Sequence, residues 1–173
     1  MDYLWTPWRS TYIKKRGDKT VCIFCAAVAG LADEESLIVH RAKFSFVILN
    51  RYPYTSGHLM IAPYAHVSRL HQVDEATTDE MMRLARHGEG VLEATYKPEG
   101  FNLGMNLGEA AGAGIEQHIH MHVLPRWRGD ANFMTSVANT RIIPEALEDT
   151  YAKIKQGFAG LSVTTRILNQ TGD

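Results

Sequence analysis

The chain is expected to fold as an α+β domain around a mainly antiparallel sheet. Three features carry that expectation. Short runs rich in Val, Ile and Phe succeed one another with turn residues between them. One long stretch with helical spacing interrupts them, and a second helical stretch lies near the end of the chain.

Taken in order, Leu4-Trp5-Thr6-Pro7-Trp8-Arg9 is aromatic for a terminus and reads as an arm that docks on the domain or on a partner subunit. Cys25 to Ala32 reads as a short helix with Gly30 near its end. Ser36 to His40 and Phe44 to Leu49 read as strands, Asn50 to Ser56 as a turn-rich connection, and Gly57 to Ala62 as a strand ended by Pro63. Asp74 opens a long helix running to about Tyr96, before Pro98. Met81, Leu84, Val91 and Leu92 form its apolar stripe. Phe101 to Asn106 reads as a strand, Gly108 to Gly114 as a loop of small residues, and His118 to Leu124 as another strand. Pro144 to Gln156 reads as a helix with Pro near its first turn.

At 173 residues the chain is expected to form one domain: an arm over 1–21, a core over 22–126 and an extension over 127–173. Hydrophobic residues at 45% and charged residues at 21% suit a soluble globular protein. A net charge of -1 argues against a general nucleic-acid binder but not against a nucleotide, which needs only a local pocket. No apolar run approaches membrane-spanning length and the N-terminus lacks the order of a secretory signal, so no membrane partner and a cytoplasmic location are expected.

The most informative stretch is Gln117 to Arg126, which reads Q-H-I-H-M-H-V-L-P-R. Alternation of period two is strand geometry; it places His118, His120 and His122 on one face and Ile119, Met121 and Val123 on the other. Same-face positions lie roughly 7 Å apart, a gap that imidazoles bridge to share a metal. Alternatively one histidine is a nucleophile or general base that the others orient. The plain reading is a polar surface strand with solvated histidines.

Only two cysteines occur, as Cys22-Ile23-Phe24-Cys25. A disulfide framework needs more, and a redox pair is expected after a strand at a helix start. A polar, basic stretch from Lys14 to Lys19 precedes the pair instead, which favours a metal knuckle needing two further ligands.

His118-Ile119-His120-Met121-His122-Val123-Leu124 resembles the signature of the histidine-triad family. Leu49-Asn50-Arg51 through Gly57-His58-Leu59-Met60-Ile61-Ala62-Pro63, and Phe101-Asn102-Leu103-Gly104-Met105-Asn106, are similar to its supporting stretches. The likeness spans roughly Cys22 to Arg126. The Trp-containing opening and Pro125-Arg126-Trp127 resemble its diadenosine tetraphosphate phosphorylase-like branch, with the fragile-histidine-triad proteins nearby.

That resemblance implies the family's fold, a mainly antiparallel sheet with one long helix and a C-terminal helix, and its chemistry of nucleotidyl transfer. His120 would be the nucleophile at the α-phosphorus, forming a nucleotidyl-histidine, with its other ring nitrogen held by the carbonyl of His118. His122 would contact the phosphoryl group and assist the leaving oxygen. Asn50 matches the position that meets ribose hydroxyls, although it also reads as a turn asparagine. Asn106 matches the amide beside the scissile bond, and Gly112 and Gly114 the loop whose backbone donors face phosphate. Where many relatives carry Ser or Thr three residues before the first triad histidine, this chain has Ile115, so backbone groups or Gln117 are expected to substitute.

Some relatives hold structural zinc through a CxxC, a histidine after the third core strand and the first triad histidine. The matching residues here are Cys22, Cys25, His66 and His118, a donor set suited to tetrahedral zinc; the plain reading is two buried thiols and a capping histidine. His58 reads either as a support beneath the triad or as a satisfied core histidine, and His40, His71 and His87 as surface or capping residues. The leading expectation is an enzyme that cleaves or phosphorolyses a dinucleoside polyphosphate through His120. A nucleoside phosphoramidate hydrolase and a nucleotide-binding regulatory module are the alternatives, and loss of turnover without loss of affinity on replacing His120 separates enzyme from binder. A homodimer is expected from the resemblance alone.

Overall fold

The computed structural model describes residues 21–130 and 145–160, so the aromatic opening and Pro144 lie outside the described residues. Two short helices lead in: α1, Ile23–Ala29, and α2, Asp33–Ser36. The first ends at Gly30, whose N–H reaches the carbonyls of Ala26 and Ala27, so it stops earlier than Ala32. Leu37 follows α2 in the left-handed region, with φ 64°, and turns the chain into the sheet.

Five strands follow: β1 (Ile38–Arg41), β2 (Ser45–Leu49), β3 (Leu59–Pro63), β4 (Gly100–Gly104) and β5 (Met121–Arg126). Their order is β1-β2-β3-β5-β4, every pairing antiparallel. The expected α+β architecture is the one observed. β2 and β3 are buried along their whole length, which is why they read as continuous apolar runs and not as alternating ones.

Between β3 and β4 runs α3, Glu75–Tyr96. Asp74 caps it by accepting the Thr77 N–H at 2.9 Å, and it ends at Lys97 in the left-handed region, one residue before Pro98. The α3 stripe of Met81, Leu84, Val91 and Leu92 is buried against the sheet, each such side chain contributing roughly 1.5–3 kcal/mol. Buried Glu80 accepts the Lys43 and Phe44 N–H groups at 3.2 and 2.7 Å, tying the β1–β2 turn to α3. The last described helix, α4 (Leu147–Gly160), packs on α3 and β1.

Two features of this frame place the functional face. Gly57 closes the β2–β3 loop with φ +78°, and a Cβ there would lie 2.7 Å from the Leu92 side chain, so the loop end rests directly on α3. The histidine stretch enters the ladder only at Met121, opposite Ile61, not at His118 as its alternation suggests. The reason is a different partner: the Ile119 N–H donates to the carbonyl of Val67 at 2.7 Å, so these residues bind the turn after β3 before they join the sheet.

His40 and His87 are not surface residues. Both are half-buried and stack on Phe158 of α4, with ring centroids 5.4 and 4.9 Å away. His71 is exposed, in a short 3-10 turn (Leu70–Gln72).

Candidate active site

All three histidines of the alternating stretch gather on one side of the sheet. His120 lies between its neighbours, its ring 4.8 Å from that of His122, and Phe24 of α1 packs on both His118 and His120 at 5.2 and 4.9 Å. His118 and His120 are buried, 1% and 5% exposed, which excludes the solvated polar strand.

Each ring has a partner that fixes its tautomer. His120 donates its Nδ1–H to the His118 carbonyl at 2.9 Å, which leaves the Nε2 lone pair bare. His118 donates its Nε2–H to the Pro63 carbonyl at 2.9 Å and turns a bare Nδ1 towards the cysteines. His122 is set at one remove. The Tyr54 N–H and the Asn50 side-chain amide donate to His58 Nδ1 at 3.2 and 3.3 Å, so His58 carries its proton on Nε2 and donates to His122 Nδ1 at 2.8 Å. His122 therefore presents an Nε2–H.

Burial lowers the proton affinity of His118, His120 and His122; for His122, where the charge on His120 adds to it, the value falls to about 4. All three rings are neutral at physiological pH. A neutral imidazole with an available lone pair beside one with a directed N–H is an arrangement for nucleophilic attack and for hydrogen-bonding the atom that departs.

Below His118 the chain brings together Cys22, Cys25, His66 and His118, one donor atom from each lying within 4.8 Å of the others. Cys22 Sγ is 3.3 Å from His118 Nδ1, and Cys25 Sγ is 3.3 Å from His66 Nδ1 and 3.7 Å from His118 Nδ1. Tetrahedral bonds of roughly 2.3 Å to sulfur and 2.0 Å to nitrogen require S···N edges of about 3.5 Å. The four residues fit such an ion, and His118 already offers the correct nitrogen. Burial, then the neighbouring Cys22 thiol, raise the Cys25 thiol above its ordinary value; a bound divalent cation reverses that preference.

The remaining expected residues are placed as follows. Asn50 accepts the Tyr52 N–H at 2.9 Å while its amide reaches His58, so one donor and one lone pair remain for another partner. Asn106 lies half-buried just beyond β4, outside the strand expected to contain it. Gly112 ends a short 3-10 turn (Glu109–Ala111) with φ +84°, Gly114 follows half-buried, and Gln117 is exposed. Ile115 packs against the apolar core.

Two contributions escaped the sequence reading. Of the two residues between Cys22 and Cys25, Ile23 is exposed while Phe24 is fully buried and packs on the triad, a placement that follows from seating both cysteines near His118. His58, which the sequence reads equally as a core histidine, is fully buried, and its hydrogen bond makes it the support of His122.

The family model described as HIT domain matches residues 32–129. An AP-4-A phosphorylase from Mycobacterium tuberculosis is 40% identical over 154 residues, covering 85% of this chain and 79% of that protein. An asymmetrical bis(5'-nucleosyl)-tetraphosphatase from Schizosaccharomyces pombe is 27% identical over 95 residues, 55% of this chain and 52% of that protein. Among solved structures, a zinc-bound histidine triad family protein from Mycobacterium smegmatis superposes with a TM-score of 0.66 at 27% identity, covering 83% of this chain and 97% of its own. The chain belongs to the histidine-triad, or HIT, family. It is an enzyme within that family's nucleotide hydrolases and transferases, similar to the diadenosine tetraphosphate phosphorylase-like branch. No helix among the described residues is long and apolar enough to cross a membrane.

Proposed function

We propose that this enzyme cleaves dinucleoside polyphosphates, with diadenosine tetraphosphate as the reference substrate, and passes the nucleotidyl group through His120 to inorganic phosphate. The observation that carries the reading is the pair of opposed tautomers: a bare His120 Nε2 beside a protonated His122 Nε2. His120 Nε2 attacks the α-phosphorus; the N–P bond forms as the bond to the bridging oxygen breaks. The imidazole becomes cationic, and its Nδ1–H bond to the His118 carbonyl stabilises that charge. His122 Nε2–H bonds the departing oxygen, and the leaving polyphosphate, a weak base, needs no full proton transfer. A phosphate oxygen then attacks the same phosphorus, the N–P bond breaks, and His120 returns as neutral imidazole.

Asn50 uses its remaining donor and lone pair on ribose hydroxyls, and Asn106, Gly112, Gly114 and Gln117 face the phosphates. Likeness to the mycobacterial phosphorylase favours phosphate over water as acceptor. Cys22, Cys25, His66 and His118 hold zinc, which supplies a structural crosslink between α1 and the catalytic stretch and no group to the reaction. The zinc in the related mycobacterial structure supports that choice of metal. The enzyme acts in the cytoplasm as a homodimer; the dimer is supported by β4, which among the described residues pairs only with β5 and leaves its outer edge, with Asn102, Leu103 and Gly104 exposed, for a second copy.

Product identification with diadenosine tetraphosphate tests the acceptor. ADP and ATP formed only when inorganic phosphate is present are expected. AMP and ATP formed in its absence assign water instead, and no cleavage in either condition rejects the substrate class.

A further inference from the structure

We propose that Arg69 is the positioning residue for phosphates beyond the transferred phosphorus: first those of the leaving nucleotide, then the acceptor. The inference rests on the nucleotidyl-transfer reading above and adds a residue that the histidine stretch does not contain.

A cleft of about 490 Å³ opens where the chain enters the histidine stretch, with His66, Ser68, Arg69 and Gln72 on one wall and Gly108, Glu109, Glu116 and Gln117, the residue before His118, on the other. Its Arg69 wall is fastened to the catalytic stretch, because the Val67 carbonyl accepts the Ile119 N–H at 2.7 Å between His118 and His120. The same turn is closed on itself. Gln72 Oε1 accepts the N–H groups of Ser68 and Arg69 at 3.2 and 3.0 Å, and the Arg69 carbonyl accepts the Gln72 N–H at 3.1 Å. The backbone of Arg69 is thus fixed relative to His120 while its side chain remains exposed.

The guanidinium has a defined resting place. Arg69 Nη1 lies 3.0 Å from the position a Cβ would take on Gly108, where φ is +95°. A Cβ at 108 would press on the guanidinium, which would have to give by a few tenths of an ångström. The cation therefore lies over the first residue of the glycine-rich loop, and among the described residues it forms no ion pair.

In both half-reactions the oxygen that leaves or enters stands opposite His120 Nε2 across the phosphorus, so one cation serves both groups. Arginine suits that task because its planar donors match phosphate oxygens in pairs. Glu109 and Glu116 on the facing wall reduce the local positive potential, which sets the expected effect near tenfold and not far beyond it.

Binding measured by calorimetry on His120→Asn protein, which cannot turn over, tests the assignment. Adding Arg69→Gln is expected to weaken diadenosine tetraphosphate about tenfold and to leave AMP, which lacks the distal phosphates, within about twofold. Arg69→Lys should recover part of the loss. In protein with His120 intact, Arg69→Gln should raise the KM for inorganic phosphate by a similar factor. Equal weakening of both nucleotides would show a general effect on the fold and overturn the proposal, as would an unchanged affinity for the tetraphosphate. An unchanged phosphate KM would overturn the acceptor half. Failure of the His120→Asn protein to bind diadenosine tetraphosphate at all would instead remove the substrate reading on which the inference stands.

Discussion

Two clusters of histidines lie in this fold, one on each side of the sheet. On the functional side His58, His118, His120 and His122 form a chain in which carbonyls, an amide N–H and other rings set the protonation of each nitrogen that matters. On the helical side His40 and His87 stack on Phe158, and the buried Nε2 of His87 has no hydrogen-bond partner among the described residues. Burial lowers the proton affinity of rings in both clusters. The difference is that a packed histidine needs only a flat face, whereas a reacting one needs each nitrogen assigned. Hydrogen-bond bookkeeping, and not burial or titration, separates the two.

Replacing members of each cluster tests that distinction. His120→Ala should reduce kcat by about 10⁴-fold or more, since it removes the nucleophile, with nucleotide affinity changed far less. Turnover within tenfold of the parent would sink the assignment. His58→Ala acts one step away. It leaves His122 Nδ1 without its donor and frees the ring to take the other tautomer, so kcat should fall about 10²-fold, the size expected for losing one aimed donor. The parallel change on the other side, His40→Ala, should leave kcat within about twofold while lowering the melting temperature. Equal losses of activity from His58→Ala and His40→Ala would erase the comparison.

How much of this was legible in the sequence depends on how far apart the partners lie. The α+β class followed from the apolar runs of β2 and β3 and from the α3 stripe, because these are local patterns. The histidine alternation pointed to shared placement of His118, His120 and His122, and the rings are found together. The start of β5 was misplaced because the partner of Ile119 is Val67, a turn residue that no periodicity reveals. His40 and His87 were misjudged for a similar reason: Phe158, which covers both, is far along the chain in another helix. Asn50 shows the converse. Its turn reading was available locally and is visible in the Tyr52 N–H bond, while its reach to His58 required the folded loop.

The four-residue metal cluster sharpens the comparison, because it joins the functional side only indirectly, through His118 and through Phe24, which packs on His118 and His120. Protein purified without added metal should contain close to one zinc per chain, measured by elemental analysis. Cys22→Ser should lose most of it, with a drop of several degrees in melting temperature and a fall in kcat of about 10-fold, since only the seating of the His118 segment and of Phe24 changes and no reacting group is lost. A loss of activity as large as that of His120→Ala would place the metal in the reaction instead of beneath it.

The smallest effect belongs to His87. Its unpaired Nε2 is a standing cost, and an apolar residue of similar size should relieve it, so His87→Leu is expected to stabilise the protein by about 1 kcal/mol and raise its melting temperature by about 2–4 °C. The pH dependence gives a second readout with a definite sign. Burial places the folded-state values of His40 and His87 below the ordinary histidine value of about 6.5, and on His40 the neighbouring His87 and Lys155 charges add to it against Glu80. As pH falls below that value the unfolded chain takes up protons first. Their contribution to stability is therefore whole above about pH 6.5 and lost progressively as pH falls towards the folded values. Denaturant melts of parent and His87→Leu protein between neutrality and mildly acid pH should show the variant losing less stability. Parallel curves would mean that His87 does not titrate against folding, and that the unpaired nitrogen is tolerated for its ring alone.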